Sequence, residues 1–132
     1  MTFETTLQKI IQLAKNDPNI DALWLYGSHA KGNASENSDI DLAVIFKTHL
    51  DNILERRLRP EILALEWQNT LQLPENGLSI LDMEHAAIPI SMGVLQTGKL
   101  LINKNPTHEF TCSRRIMSMW ELDYQYHYKI YG

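Results

Sequence analysis

Residues 20–46, which read IDALWLYGSHAKGNASENSDIDLAVIF, decide the fold of this chain. Ile20 to Tyr26 is short, apolar and aromatic, which predicts a buried strand that stops at Gly27. Lys31 to Ser38 forms a polar loop, and Ser38 to Phe46 predicts a second strand. The stretch therefore predicts two strands joined by a polar loop.

The second strand carries two carboxylates on one face. Because successive side chains of a strand point to opposite faces, its residues divide into two sets: Ile40, Leu42, Val44 and Phe46 against Asp39, Asp41, Ala43 and Ile45. Carboxylates at positions i and i+2 lie roughly 7 Å apart at the backbone, within reach of a hard cation such as Mg²⁺. Burying unpaired charge is costly, so a bound metal explains this pattern best. The alternative is that Asp39 caps the loop and Asp41 faces solvent on an edge strand.

The first strand ends at Gly27-Ser28, ten residues before Asp39. Glycine lets a phosphate approach the backbone closely, and serine offers a hydroxyl and an amide to the phosphate oxygens. We therefore interpret Gly27 and Ser28 as the residues that hold a triphosphate. An ordinary turn is the other interpretation.

The rest of the chain alternates helices and strands, which predicts an α/β or α+β fold. Pro60 removes a helical hydrogen bond, so we expect a break near Arg59. The predicted elements are a helix over 3–14, a helix over 50–65, a strand over 78–83, a helix over 88–97, a strand over 99–102 and a closing helix over 110–127.

Length and composition indicate one domain, residues 1–132, with 44% hydrophobic and 21% charged residues. A formal net charge of −4 makes broad nucleic-acid binding an unfavourable interpretation. Cys112 is the only cysteine, and neither a signal sequence nor a long apolar run is present, so we expect a cytoplasmic protein. The five histidines lack cysteine partners or i,i+4 pairs, which argues against zinc.

Gly27-Ser28, ten residues, and Asp39-x-Asp41 at the start of an apolar strand together resemble the signature of the polymerase-β-like nucleotidyltransferases. The resemblance covers most of the chain. It implies the nucleotidyltransferase fold, a small mixed β-sheet flanked by helices. It also implies Mg²⁺ held by Asp39 and Asp41, ATP as the substrate, and a triphosphate held by Gly27 and Ser28.

The sequence departs from the family where its third carboxylate is usual. Ser79 aligns with that position, and Asp82 is the only acid on the predicted strand. The odd offset from Ser79 puts Asp82 on the opposite face, so it reaches the metal only if the strand bends, bulges or ends. We predict Asp82 as the third metal ligand, with a loop or capping acid as the alternative.

A stand-alone transferase of this size resembles the MNT antitoxins, which adenylylate a HEPN-type RNase toxin. The resemblance implies such a toxin as partner and a side-chain hydroxyl as acceptor, with tyrosine as the first choice. One alternative is a binding antitoxin without catalysis, which blocks its toxin through a C-terminal aromatic run: Trp120, Tyr124, Tyr126, Tyr128 and Tyr131. A small-molecule, antibiotic-modifying transferase is the other, although such enzymes usually need a further domain to hold the drug.

Overall fold

The computed structural model describes residues 2–35 and 38–131, apart from the side chains of Tyr126, Tyr128, Ile130 and Tyr131. Three members of the C-terminal aromatic run therefore lie outside the described side chains. The elements follow the chain in this order: α1 Phe3–Asn16, β1 Ile20–Tyr26, α2 Gly27–Lys31, β2 Ile40–Phe46, α3 Ile53–Thr70, β3 Leu78–Asp82, α4 Ile88–Thr97, β4 Lys99–Asn103 and α5 Pro106–Tyr131. Within these described residues, no helix combines the length and the apolar character that a membrane span requires.

The four strands form one sheet in the order β3-β2-β1-β4. β1 pairs antiparallel with both β2 and β4, whereas β2 pairs parallel with β3. The parallel pair needs a crossover, which α3 supplies. The predicted small mixed sheet flanked by helices is confirmed.

Helices cover both faces of the sheet, and strand alternation decides which residue meets which helix. One face packs against α1 and α3 through the predicted apolar set of β2: Ile40, Leu42, Val44 and Phe46. Ala43 and Ile45 face the other way and pack with Val94 of α4 and Ile116 of α5. Asp41 shares that second face, just beyond the point where the apolar packing ends.

Two sequence predictions about helices were wrong. α3 runs unbroken through Pro60, which is buried against the core. Burial of the proline ring offsets the hydrogen bond that the helix loses there. The sequence predicted no helix between the first two strands, whereas Gly27–Lys31 forms the short helix α2, which ends at Gly32 in the left-handed conformation.

Among the side chains of helix α5 that the structure describes, the buried ones lie near its start. Cys112 and Ile116 are covered by the sheet and α4, whereas Phe110, Leu122 and Tyr124 are exposed. Phe110, Met117 and Tyr124, which repeat at heptad spacing along this helix, are all exposed and form no buried seam.

Candidate active site

The end of β1 and the start of α2 hold the predicted phosphate-binding pair. Gly27 has a φ of +72°, and a Cβ placed on it would collide with the Asp41 carboxylate. Both the backbone conformation and the close approach therefore require glycine. Ser28 follows in the first turn of α2.

The two predicted metal ligands lie at the start of β2. Asp39 is exposed immediately before the strand, and Asp41 is half-buried as the second strand residue, in register with Tyr26 of β1. This register brings the Asp41 carboxylate against Gly27. The two halves of the sequence motif thus meet at one end of the sheet.

Ser79 is the neighbour of Asp41 on β3. The two residues are in register, and Ser79 Oγ donates a hydrogen bond to Asp41 Oδ1 over 2.8 Å. A hydroxyl therefore occupies the place beside Asp41 where the family usually has a carboxylate. A serine hydroxyl orients the acid but is a poor proton acceptor at neutral pH.

The structure does not bring Asp82 to this site. The β2–β3 register is regular and places Asp82 beside Val44, three residues along from Asp41, a separation of about 10 Å on the opposite face. Its Oδ1 accepts a hydrogen bond from the Glu84 backbone N–H. This geometry argues against the prediction of Asp82 as third metal ligand, because Asp82 is the last residue of β3 and its carboxylate bonds the turn that follows.

Burial raises the pKa of Asp82, and nearby Glu84 adds to this, while the Glu84 backbone N–H, His85 and Arg59 act in the opposite direction. Asp82 is only 6% exposed, and its Oδ2 is buried without a hydrogen-bond partner among the described residues. These contacts belong to the end of the sheet remote from Asp41.

Tyr26 is a site residue that sequence reasoning missed. Burial raises the pKa of its hydroxyl, the Asp41 carboxylate raises it further, and a hydrogen bond with Ser79 opposes both. Its position as the last strand residue before Gly27 was the available signal.

His29 occupies the position where the family commonly has arginine, and its side chain is already engaged. The imidazole Nε2 lies 3.1 Å from the Ser38 carbonyl, and the ring stacks on Phe3 with centroids 4.0 Å apart. The stacked pair lines a cavity of about 570 Å³ that also reaches Asp39. Lys31 is exposed at the end of α2.

A second polar cluster lies at the opposite end of β1, about 20 Å from Gly27 along the strand. His108 Nδ1 is 2.7 Å from Asp21 Oδ2, and Nε2 is 2.8 Å from Glu84 Oε1. Burial disfavours the charged ring, but the hydrogen bonds and the charges of the two acids outweigh it and raise the pKa of His108. The signal missed was Asp21 itself, an acid inside an apolar strand that needs a partner.

The donor set at Asp39 and Asp41 fits Mg²⁺ bound together with a phosphate substrate. Among residues 2–35 and 38–131, no cluster of three His, Cys, Asp or Glu side chains is arranged to hold a metal. Mg²⁺ usually keeps several waters and binds through one or two carboxylates plus substrate phosphates. Asp39 is exposed and Asp41 is half-buried, so water and substrate phosphate oxygens could complete a coordination shell begun by these two carboxylates.

Residues 8–107 match the family described as Polymerase beta, Nucleotidyltransferase. The chain belongs to this family. The resemblance inferred from Gly27-Ser28 and Asp39-x-Asp41 is thereby confirmed, and the nucleotidyltransferase fold accounts for the convergence of the two motifs.

The chain is similar to the protein adenylyltransferase MntA of Shewanella oneidensis, with 31% identity over 94 residues. The match covers 70% of this chain and 62% of the length of MntA. The fold is also that of a crystallised toxin–antitoxin with AMP-PNP, with a TM-score of 0.70, 24% identity and coverage of 97% of this chain and 94% of the other. The fold likewise matches that of a tri-AMPylated Shewanella oneidensis HEPN toxin in complex with MNT antitoxin, with a TM-score of 0.68 and 23% identity. This match covers 96% of this chain and 93% of the other.

Proposed function

We propose that this chain transfers AMP from Mg-ATP to a side-chain hydroxyl, tyrosine being our first choice, of a cognate HEPN-type RNase toxin and thereby neutralises it. The observation that carries the proposal is the contact between the Gly27 backbone and the Asp41 carboxylate, with Asp39 beside them, in a chain of the nucleotidyltransferase family. The similarity to MntA supports the choice of a protein acceptor. A cytoplasmic location, where ATP is available, belongs to the same proposal.

In this proposal Asp39 and Asp41 hold Mg²⁺, and Gly27 and Ser28 hold the triphosphate. Bound Mg²⁺ neutralises phosphate charge and stabilises the attacking and leaving oxygens. Ser79 keeps the Asp41 carboxylate oriented through its hydrogen bond to Oδ1. Because Gly27 has no side chain, the Asp41 carboxylate lies directly against its backbone, and the triphosphate can approach the same backbone closely.

The transfer itself is an in-line displacement. The acceptor oxygen forms a bond to the α-phosphorus of ATP, the bond from that phosphorus to the bridging oxygen breaks, and pyrophosphate leaves. The hydroxyl proton leaves to water, because Ser79 offers no carboxylate beside Asp41 to take it. Positioning and electrostatic stabilisation therefore carry most of the catalysis.

The shape of the site favours a macromolecular acceptor. Asp39 and Ser79 are exposed, and β3 is an edge strand of the sheet. A small molecule would remain largely in solvent there, whereas a docked protein supplies the missing walls. A net charge of −4 also suits a basic, RNA-binding partner. An added adenylyl group brings bulk and negative charge, which oppose RNA binding.

One observation favours a second candidate, a binding antitoxin without catalysis. Ser79 stands where the family usually has an acid, so the described site lacks an obvious general base. In that case, toxin inhibition requires only a bound complex and is lost when the proteins separate.

The deciding experiment incubates the chain, Mg²⁺ and ATP with its cognate HEPN-type toxin. Intact mass spectrometry then weighs the toxin, and its RNase activity is assayed after separation. We expect adenylyl groups on the toxin and lasting inhibition. The Asp39→Asn, Asp41→Asn double variant should leave the toxin unmodified, and the exposed-acid control Glu4→Gln should behave as wild type. Unmodified toxin that the double variant inhibits equally well would replace the enzyme with the binding antitoxin.

A further inference from the structure

Helix α3 has two apolar faces, and only one of them is used by the fold. Its inner face, with Leu63, Ala64 and Trp67, is buried against the sheet. Its outer face carries an exposed stripe, which we call the α3 stripe: Leu54, Leu58, Ile62 and Leu65, exposed by 66, 39, 52 and 57%. At 3.6 residues per turn these four side chains fall within an arc of about 80°. Such a contiguous exposed apolar patch marks an interaction surface.

Glutamates border the α3 stripe on both sides. From the helical repeat, Glu61 lies about 20° beyond one edge, and Glu55 and Glu66 lie about 20° and 40° beyond the other. Within the described part of the chain, none of these three carboxylates forms an ion pair. Two copies packed through their stripes would bring these acids together, which is unfavourable. The borders instead suit a helix whose apolar stripe is flanked by lysine or arginine.

The α3 stripe ends near the candidate active site. β2 begins at Ile40 and runs away from that site, α3 returns, and β3 begins beside Ile40 again. The last turn of α3 is therefore at the Asp41 end of the sheet. Ser79 follows shortly after on the exposed edge strand. α3 covers the face of the sheet opposite the one that Asp41 shares, so a protein lying along α3 reaches Asp41 around the exposed edge strand β3.

We propose that the α3 stripe is the docking surface for the acceptor protein, which binds it through an amphipathic helix with basic flanks. This inference rests on the proposed function for the identity of that protein, the cognate RNase toxin. Apolar burial along the stripe supplies affinity, and the glutamate borders supply orientation and the rate of encounter. Chemistry remains at Asp39 and Asp41.

The test uses the full chain and the cognate toxin, and it measures binding and transfer separately. Leu58→Lys and Ile62→Lys should each weaken toxin binding without nucleotide at least tenfold, as measured by calorimetry, because a charge enters the apolar contact. KM for the toxin should rise in parallel, while kcat at saturating toxin stays within about twofold of wild type. The matched control is Leu100→Lys, at a similarly exposed leucine on β4, and it should leave toxin binding and KM unchanged. Thermal melts check that each variant is folded.

Charge reversal tests the glutamate borders. Glu61→Lys with Glu66→Lys should slow association with the toxin and weaken its dependence on salt. Faster association would mean that the toxin surface is acidic and would overturn the proposal.

Three further results would overturn the docking surface while leaving the proposed function intact. One is toxin modification with unchanged KM in both α3 variants, and a second is a loss of binding confined to Phe110→Lys and Leu122→Lys on α5. The third is a dimer of the chain alone in sedimentation that Leu58→Lys dissolves, which would assign the stripe to a second copy. A toxin that binds through α3 but is never modified would instead remove the proposed enzyme activity and keep the surface.

Discussion

Gly27 is the first residue of α2 and Gly32 follows its last residue, and both adopt a positive φ, of +72° and +78°. Their surroundings differ, because a Cβ on Gly27 would strike the Asp41 carboxylate, whereas a Cβ on Gly32 meets nothing within 4 Å. A side chain introduced at either position would therefore strain the backbone. Only at Gly27 would it also displace a proposed metal ligand. The two glycines form a natural matched pair.

Gly32→Ala should lower the free energy of unfolding by about 1 kcal/mol through strain and leave AMP transfer near wild type. Gly27→Ala should show the same strain and also lower kcat by about 10²-fold, because it moves the Asp41 carboxylate. Urea denaturation and toxin adenylylation rates measure the two effects. Equal transfer by the two variants would contradict the role assigned to the Gly27–Asp41 contact.

Asp41 and Asp82 form a second matched pair. Asp41 lies at the proposed reaction centre, and Asp82 is remote from it. Asp41→Asn should abolish transfer, and Asp82→Asn should retain it, which steady-state kinetics will measure. Because burial raises the pKa of Asp82, ionisation destabilises the fold at neutral pH. Asp82→Asn should therefore be the more stable protein at pH 7, with its advantage vanishing as pH falls towards 4. Loss of transfer in this variant would restore Asp82 to the site.

At the scale of elements, the sequence predicted the bounds of those strands and helices whose apolar pattern fits only one secondary structure. β1 and α4 have the predicted bounds, Ile20–Tyr26 and Ile88–Thr97. Strand parity also predicted that Asp82 faces away from Asp41, and a regular β3 leaves it there. The buried face of helix α3 was harder to predict, because the helix has two apolar faces with the same period, one with Leu63 and the other with Leu65. Periodicity cannot tell which face is buried.

The Asp21–His108–Glu84 cluster was unpredictable from spacing because its members lie on β1, α5 and the segment after β3. It joins the start of α5 to the sheet, and Arg115 adds hydrogen bonds to the Met83 and Glu84 carbonyls. A neutral imidazole donates through one nitrogen only, so two carboxylate partners favour the imidazolium. The attachment of α5 is therefore linked to pH.

Because the pKa of His108 is raised in the folded state, the cluster stabilises the protein fully below the unfolded value of about 6.5. This contribution is lost as pH rises through the higher folded value. The difference in unfolding free energy between wild type and His108→Gln should therefore shrink from pH 6 to pH 9. His85 acts in the opposite direction, because its pKa is lowered, mainly by burial. His85 is present in both proteins, so its effect cancels when the two unfolding free energies are subtracted. A difference that grows with pH would contradict the imidazolium assignment.

At the scale of the whole molecule, the net charge of −4 opposes the proposed substrate. ATP carries several negative charges, and Asp39 and Asp41 add two more at the point where its phosphates would bind. Within the described residues, His29 is engaged with Ser38 rather than directed at a phosphate, and Lys31 is solvent-exposed. We therefore expect productive ATP binding to depend on a divalent cation that balances the charge.

ATP should consequently stabilise the fold only in the presence of Mg²⁺. With Mg²⁺ and ATP at about 100 times the dissociation constant, mass action adds about 2.7 kcal/mol to the free energy of unfolding, which thermal melts will record as a higher Tm. ATP with EDTA should give no rise, because phosphate and carboxylate charges repel. The Asp39→Asn, Asp41→Asn double variant should match or exceed the wild-type Tm without ligand, since like charges are removed, and should gain nothing from Mg-ATP. An equal rise in wild type with EDTA would mean that ATP binds away from these carboxylates, and the metal assignment would then be withdrawn.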